Sequence, residues 1–256
     1  MQVICAGATH KGCVRENNED NIYVDGKFRE DLNISNVLFC PKREENYHTL
    51  AVFDGVGGAE HGERISYICS SALEKVDGEN LYLSQKEFLL QLNEAVCKII
   101  KEEGEGSMGS TAAMVSIVDG KAYACNIGDS RIYVYSDNEL KQVSHDHTSV
   151  QSMIDNGVIS ESERKNNKLR HTLIQYIGSD DECELEPYME CINIKSEDIV
   201  LLCSDGLTDM VENSDIKDII ESNKKKLPES IVAELLNAAV EKGGKDNISI
   251  IIASIN

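Results

Sequence analysis

Several features that mark well-known classes of protein are missing from this sequence. No apolar run approaches the roughly 18 residues of a membrane-spanning helix, and the first residues carry neither a charged segment nor a long apolar core. No two cysteines have C-x-x-C spacing. Basic residues are scarce, since 25 Lys and Arg stand against 45 Asp and Glu, a net charge of −20. That charge disfavours binding to nucleic acid and to anionic membranes, because both would repel it.

The nine cysteines are odd in number and their spacing outlines no framework. We expect buried, reduced thiols in a cytoplasmic protein, with a disulfide or zinc framework as the alternative. There are only 3 prolines, and no linker or internal repeat interrupts the 256 residues. With 41% hydrophobic residues, the chain has ample material for a core. We therefore expect a single domain over 1–256.

Apolar patterns indicate strands and helices in irregular alternation. Strands are predicted at 3–9, 49–53, 111–118, 121–126, 131–135, 140–143, 191–194, 199–203 and 247–253. Helices are predicted at 63–76, 84–101, 149–156, 161–165 and 228–242. Three of these helices begin with capping-box spacing, at Ser84/Glu87, Thr148/Gln151 and Ser160/Glu163. Turn signals between the central strands favour antiparallel hairpins, which indicates an α+β fold in layers.

Acidic residues stand where predicted strands meet glycine turns or short loops. They are Asp54, Asp129, Asp205 and Asp246, with the pair Glu19 and Asp20 just ahead of an apolar segment. A single Asp-Gly pair is usually an ordinary turn. Five such groups at strand ends are harder to explain, because clustered carboxylates repel unless cations neutralise them. Oxygen ligands favour Mg²⁺ or Mn²⁺ over zinc.

Six short segments occur in an order that carries a family resemblance. They are RENNED (15–20), DGVGG (54–58), GST (109–111), NIGDSR (126–131), SDGL (204–207) and GKDN (244–247). The series resembles the metal-dependent protein serine/threonine phosphatase family, type 2C, in its compact bacterial form, over about 9–253. The resemblance implies a four-layer α-β-β-α sandwich, with two central, mostly antiparallel sheets and flanking helices. It also implies one catalytic domain with a mobile flap at about 148–179.

The same resemblance implies a metal centre. By that reading, Asp54 bridges two Mn²⁺ or Mg²⁺ ions, the Gly55 carbonyl binds one of them, and Asp205 and Asp246 complete the other. Two ions roughly 3.5–4 Å apart can share a water and lower its pKa. The implied reaction is hydrolysis of phosphoserine and phosphothreonine in proteins by a hydroxide that bridges the two ions.

Further roles follow from individual positions in the motifs. The acidic pair of the family falls on Glu19 and Asp20, and we rank Asp20 first because compact bacterial members often lack the first acid. Asp129, together with Asp205, matches the third metal position of bacterial members. Arg15 stands where the family holds the substrate phosphate, and its guanidinium fork suits a tetrahedral anion. Arg15 and Asp54 are therefore the expected catalytic residues.

Other residues depart from the family pattern or give weaker evidence of a catalytic role. Val56 stands where many animal members have a histidine proposed to protonate the leaving alkoxide. His61, His145 and His147 flank family motifs, but such histidines more often lie at the surface or form ordinary hydrogen bonds. Cys203 lies inside an apolar strand, which argues against a thiol nucleophile.

Two segments are open to interpretation. The flap carries a basic island, Arg164, Lys165, Lys168, Arg170 and His171. The island is equally consistent with a solvated helix end and with contacts to substrate. Segment 28–48 is longer than the short turn of most compact relatives, and the sequence gives it no function.

The leading hypothesis is a monomeric, cytoplasmic bacterial phosphatase that acts on phosphorylated proteins and opposes a Ser/Thr kinase. One alternative is a phosphatase dedicated to a single regulatory partner, such as an anti-anti-sigma factor. Another is a pseudophosphatase, an acidic binding module that has lost its chemistry. The intact set of Asp54, Asp205 and Asp246 argues against that module. A calcium-binding protein is disfavoured, because no D-x-[DN]-x-[DN]-G loop is present.

Overall fold

A computed structural model describes residues 1–42, 45–57, 62–103, 108–179 and 184–256. The strands are β1 (Val3–His10), β2 (Asp20–Val24), β3 (Lys27–Phe28), β4 (Val37–Phe39), β5 (Tyr47–Gly57), β6 (Met108–Ser110), β7 (Ala112–Val118), β8 (Lys121–Ile127), β9 (Arg131–Ser136), β10 (Glu139–Gln142), β11 (Tyr188–Asn193), β12 (Ile199–Cys203) and β13 (Ile248–Ile255). The helices are α1 (Gly62–Leu73), α2 (Gln85–Glu103), α3 (Ser149–Asp155), α4 (Asp205–Thr208), α5 (Asn213–Asn223) and α6 (Pro228–Glu241). Short 3₁₀ segments cover Leu81–Leu83 and Glu161–Asn166.

The strands form two antiparallel sheets. The six-stranded sheet has the order β10-β9-β12-β13-β1-β4, and the seven-stranded sheet has the order β11-β8-β7-β5-β2-β3, with β6 paired to β5. In the second sheet, β2 pairs with β5 so that Asp20 lies opposite Asp54. This register places two of the predicted metal ligands side by side at one end of the sheet.

The main core lies between the two sheets, because their facing sides are apolar. Val52 and Val115 of the seven-stranded sheet belong to the same buried cluster as Leu202 and Ile251 of the six-stranded sheet. All four side chains are fully buried. Burial of each such side chain contributes about 1.5–3 kcal/mol relative to exposure. The strand ends that carry the acidic residues are thus held by a packed interior.

Helices cover both outer faces of the sandwich. Phe53 of β5 and Met114 of β7 pack in a cluster with residues of α1 and α2. On the other side, Leu201 of β12 and Ile250 of β13 pack with residues of α5 and α6. The resulting order, helices-sheet-sheet-helices, confirms the α+β four-layer sandwich. Within the described ranges, no helix combines the length and apolar character that crossing a membrane requires.

Most predicted elements agree with the structure to within a few residues. The predicted strand at 199–203 is β12, and the predicted helix at 228–242 is α6. Two predicted caps also form: the Gln151 amide donates to Thr148 Oγ1, and Ser160 and Glu163 make both halves of a capping box. The helix predicted at 161–165 is 3₁₀ rather than α.

The elements predicted from the sequence do not include helices α4 and α5 or the strands β2, β3, β4 and β6. Helix α5 buries only Ile216, Ile220 and Asn223, and the residues between them are mostly polar or acidic. So narrow an apolar stripe gives a weak periodic signal. Strand β4 is three residues long and pairs with the edge of β1, Leu38 opposite Ala8. Its pairing partner, not its own pattern, determines that it is a strand.

Candidate metal centre

One end of the sandwich collects five aspartates from both sheets. Asp20 begins β2 and Asp54 lies near the end of β5, while Asp129 follows β8, Asp205 begins α4 and Asp246 precedes β13. The pKa of Asp54 lies well above its usual range, first because of burial and then because of the charges of Asp20, Asp205, Asp129 and Asp246. The structure therefore brings these five predicted metal ligands together.

Within this group of five aspartates, Asp20 is fully buried. Its Oδ2 accepts hydrogen bonds from Ser204 Oγ at 2.8 Å and from Ser249 Oγ at 2.7 Å. Burial raises the pKa of Asp20 to about 7, although these two hydrogen bonds act in the opposite direction. Its Oδ1 has no hydrogen-bond partner within the part of the chain that the structure describes. A buried oxygen of this kind needs a partner, and a cation would provide one.

The donor set of this cluster fits divalent cations. Burial, followed by neighbouring acidic charges, also raises the pKa of Asp129. Burial is also the main cause of the raised pKa of Asp205, and its hydrogen bond with His171 acts in the opposite direction. Carboxylate oxygens are the ligands that Mg²⁺ and Mn²⁺ prefer, and bound cations would remove the repulsion between the aspartates. The cluster is thus chemically suited to the ions that the sequence predicts.

Gly55 occupies a position where a larger residue does not fit. A Cβ atom there would lie 2.3 Å from the Gly62 carbonyl oxygen and 2.7 Å from that of Glu19. The Gly55 amide also donates to the Glu19 carbonyl at 3.2 Å. Glycine therefore permits β5, β2 and the start of α1 to approach closely beside Asp54. The Gly55 carbonyl as a metal ligand stays a prediction.

The two acids of the RENNED segment point in different directions, as neighbours in an extended chain do. A Cβ on Gly62, at the start of α1, would lie 3.1 Å from the carboxylate carbon of Glu19. The pKa of Glu19 is raised by burial and next by the charge of Glu63. Asp20 instead faces Asp54 across the strand pair. This geometry supports the ranking of Asp20 above Glu19.

Arg15 lies at the exposed rim of the cluster. Its Nη2 donates to Asp246 Oδ2 at 2.6 Å, and its side chain is 51% exposed. The charge of Asp246 is also one of those that raise the pKa of Asp54. The arginine thus stands beside a predicted metal ligand and remains accessible to a phosphate from solvent.

Asn247 links the first and last motifs of the chain, a role that the sequence reading missed. Its Oδ1 accepts from the Glu19 amide at 2.7 Å, and its Nδ2 donates to the carbonyls of Lys11 and Asn17. The side chain is almost fully buried. Its signal in the sequence is its place directly after Asp246 in the GKDN segment.

Segment 28–48 supports the loop that leads into Asp20. The buried Arg29 donates from Nη2 to the Asn18 carbonyl at 2.7 Å. Asn18 in turn donates from Nδ2 to the Ser35 carbonyl at 2.7 Å and to Thr9 Oγ1 at 2.9 Å. The long segment, for which the sequence offered no role, therefore holds the acidic motif in place.

A cavity of about 330 Å³ separates the flap from α4 and α5. Asp129 and Asp205 line it on one side, and His171 lines it from the flap. The pKa of His171 is raised to about 10 by hydrogen bonds to Asp205 and Asp209. Donor atoms of Asp129, His171 and Asp205 lie within 4.8 Å of one another, a spacing that a cation could occupy. His171 was assigned only to the basic island by the sequence, yet it reaches the predicted metal ligands.

The basic island of the flap is bound to acidic partners across this cavity. Arg170 Nη2 lies 3.3 Å from Asp209 Oδ2, and Lys165 pairs with Glu212. Arg164 contacts the buried Asp146 at 3.3 Å. The same Asp146 accepts three hydrogen bonds of 2.6–3.1 Å from Arg131, which supports a structural role for Arg131. The contacts of Arg170 and Lys165 hold the flap against the end of α4 and the start of α5.

Of the three flanking histidines, the structure describes His145 and His147, and both make ordinary contacts. His145 Nε2 lies 2.9 Å from Asp155 Oδ2, at the start of the flap. His147 is buried beside Gly128, and burial lowers its pKa. His61 lies outside the described residues. His145 and His147 therefore fit the expectation of ordinary hydrogen-bonding histidines.

Cys203 is expected to be dispensable for catalysis. It is fully buried, and burial raises its pKa to about 12, so it is a neutral thiol at physiological pH. A Cys203→Ala variant should change kcat by less than about threefold, under roughly 1 kcal/mol in activation free energy. Steady-state assays on the folded variant test this, with Asp205→Asn as the inactive comparison. A loss as large as that of Asp205→Asn would indicate a thiol nucleophile.

Comparisons with known proteins agree with this geometry. A protein-family model for protein phosphatase 2C matches 37–241. The "Serine/threonine phosphatase stp" of Listeria welshimeri serovar 6b is 28% identical over 97% of this chain and 94% of its own length. The "Serine/threonine protein phosphatase PstP" of Mycobacterium tuberculosis is 29% identical over 98% of this chain, which spans 44% of that relative. A solved structure of the PstP catalytic domain in complex with two manganese ions has a TM-score of 0.78 at 26% identity, with both chains fully covered.

Proposed function

Because this chain belongs to the protein phosphatase 2C family, we propose that it hydrolyses phosphoserine and phosphothreonine in proteins with the help of Mn²⁺ or Mg²⁺. The observation that carries this function is the convergence of five aspartates from both sheets on one end of the sandwich. When bound, two such ions activate water for attack on phosphorus and offset the charge of the phosphate. The two manganese ions in the related PstP structure support this chemistry.

Each acidic residue has a proposed place in the site. The proposed ligands of the two ions are Asp54, Gly55 through its carbonyl, Asp205, Asp246 and Asp20, with Glu19 more peripheral. Asp129 and Asp205 are proposed for a third ion. Both sheets contribute ligands, which supports one catalytic domain over 1–256 with a flap at about 148–179.

Neighbouring hydroxyl groups fix the aspartates before any ion binds. Ser204 and Ser249 hold one oxygen of Asp20. Thr111 Oγ1 accepts from the Asp54 amide at 3.2 Å, and Ser110 Oγ donates to the Asp54 carbonyl at 3.1 Å. Such partners orient the ligands, so little reorganisation is needed when the ions and substrate bind.

Arg15 is proposed to bind the substrate phosphate, and its loss should therefore weaken substrate binding most. An Arg15→Ala variant is expected to raise KM by roughly 10-fold or more, since a charge-assisted hydrogen bond contributes about 1.5–3 kcal/mol. The fall in kcat should be smaller. Steady-state kinetics on a phosphothreonine peptide test this, with Lys245→Ala as a control because Lys245 is an exposed cation next to Asp246. An unchanged KM in Arg15→Ala would exclude the phosphate role.

The partners and location follow from the proposed reaction and from the chain's chemistry. The substrates are proteins phosphorylated by a Ser/Thr kinase, and the enzyme acts as a monomer in the cytoplasm. The eight described cysteines are free thiols, which fits a reducing compartment. The net charge of −20 fits a protein without nucleic-acid or anionic membrane partners.

Hydrolysis of defined phosphopeptides tests the function. The purified protein with Mn²⁺ should release phosphate from phosphoserine and phosphothreonine peptides, with a phosphotyrosine peptide as the comparison. Turnover on a single regulatory phosphoprotein, and on none of the peptides, would favour the dedicated phosphatase. Binding without turnover in Mn²⁺ or Mg²⁺ would contradict the proposed function and favour a pseudophosphatase.

A further inference from the structure

A second cluster of metal-binding side chains lies at the opposite end of the sandwich. It consists of Cys5 on β1, Asp25 in the turn between β2 and β3, and His48 near the start of β5, with donor atoms within 4.8 Å of one another. His48 and Asp54 are six residues apart on β5, so the two ends are roughly 20 Å apart at about 3.4 Å per residue. The phosphatase motifs include none of these three residues.

The three donor atoms lie close enough together for one ion to contact all of them. His48 Nδ1 lies 2.7 Å from Asp25 Oδ2 and 3.8 Å from Cys5 Sγ. Zinc binds sulfur, nitrogen and oxygen at about 2.0–2.3 Å, so donors at the corners of a tetrahedron lie roughly 3.3–3.7 Å apart. The observed distances bracket that spacing. All three side chains are at most 6% exposed, so packing holds them in place.

The geometry argues against a catalytic thiol at this position. In a relay of nucleophile, base and acid, the nucleophile and the carboxylate contact opposite nitrogens of the imidazole. Here the thiol of Cys5 and the carboxylate of Asp25 both face Nδ1 of His48. Because the thiol and the carboxylate share one ring nitrogen, they do not form such a relay through His48.

The chemistry of the donors distinguishes this cluster from the aspartates. Thiolate and imidazole favour zinc-like ions, whereas the oxygen donors of the aspartate cluster favour Mg²⁺ and Mn²⁺. A cavity of about 620 Å³ that His48 and Glu45 line adjoins the cluster. It leaves room beside His48 for water as a further ligand. The other oxygen of Asp25 accepts from the Thr49 amide at 2.9 Å, which fixes the carboxylate.

We propose that Cys5, Asp25 and His48 bind one zinc-type divalent cation that links the two sheets. Cys5 belongs to the six-stranded sheet, while Asp25 and His48 belong to strands and a turn of the seven-stranded sheet. An ion held by both sheets at this end stabilises the folded state, because the unfolded chain does not preserve the site. The site is structural and separate from the phosphatase centre.

Cobalt(II) is a spectroscopic probe for this site, since a thiolate bound to it gives a charge-transfer absorption. The full chain is titrated with Co²⁺ in excess Mg²⁺, which occupies the aspartate cluster. We expect the band to saturate at one equivalent and to disappear when Zn²⁺ is added. Cys5→Ala should abolish the band and weaken Zn²⁺ binding by at least about 100-fold, because loss of a direct ligand should cost more than loss of the hydrogen-bond partner of a ligand, which costs about 10–100-fold. Cys125→Ala, which removes an equally buried thiol on β8, should keep both.

The wild-type titration alone can overturn the proposal, so it does not depend on whether a variant folds. No thiolate band in the wild-type protein, or a band that persists in folded Cys5→Ala, would exclude the site. Zn²⁺ should also raise the melting temperature of the wild-type protein in excess Mg²⁺, but not that of Cys5→Ala. Equal shifts in the two proteins would place the zinc elsewhere. None of these readouts depends on phosphatase activity.

Discussion

An Asp54→Asn variant is expected to lose at least about 10³-fold in kcat/KM on a phosphothreonine peptide with Mn²⁺, or about 4 kcal/mol. Asp54 interacts with four other aspartates, so it lies at the centre of the proposed metal site. Asparagine keeps the shape of the side chain but lacks the charge that holds a divalent ion. The variant should therefore fold normally and bind Mn²⁺ poorly.

The same substitution should stabilise the metal-free protein, because it removes a buried charge that its neighbours repel. Kinetics with Mn²⁺ and thermal melting in EDTA measure the two effects together. Asp218→Asn is the matched control, since Asp218 is exposed on α5. A variant that retains activity within about tenfold of wild type, under 1.4 kcal/mol, would exclude Asp54 as the bridging ligand.

Removal of divalent ions is expected to destabilise the protein more at pH 8 than at pH 5.5. The folded pKa of Asp20 is about 7, raised chiefly by burial, whereas an unfolded aspartate has a pKa of about 3.9. With the folded pKa raised, the stability contributed by the protonated form is complete below about pH 4 and is lost as the pH rises through about 7. The metal-free protein should thus become less stable from pH 5.5 to pH 8.

Divalent ions reverse this trend because they bind the ionised carboxylates. At a thousandfold excess over Kd, a bound ion stabilises the folded state by about 4 kcal/mol. Urea unfolding in EDTA and in Mg²⁺ at both pH values measures the effect, and Asp20→Asn should flatten the pH dependence in EDTA. A metal-free protein that gains stability toward pH 8, or one that Mg²⁺ fails to stabilise, would contradict the assignment of this cluster.

Much of the fold follows from local patterns that the sequence displays. Buried strands such as β12 are apolar along their whole length, and α6 has both an apolar stripe and glycines after its end. These patterns do not show how the sheets stack. The stacked arrangement was predicted from the family resemblance of the six motifs. Helix α5 was not predicted because its buried face is too narrow to give a clear apolar pattern among polar residues.

The acidic residues of the site could be named from the sequence, but their partners could not. Asp20 and Asp54 become neighbours through the register between β2 and β5, and Asn247 reaches Glu19 across 228 residues of chain. Such contacts depend on how strands pair, which local patterns do not specify. Cys5 and His48 lie on two different sheets. Their contact depends on how the sheets pack, so it could not be predicted from the sequence.

The most direct test of the proposed chemistry is whether the activity of a single protein preparation depends on its bound metal ions. Phosphate release from a phosphothreonine peptide is measured with Mn²⁺, again after EDTA, and a third time after excess Mn²⁺ is restored. We expect EDTA to abolish turnover and Mn²⁺ to restore it to the initial rate. Turnover that survives complete chelation would show that the aspartate cluster does not work through bound metal ions.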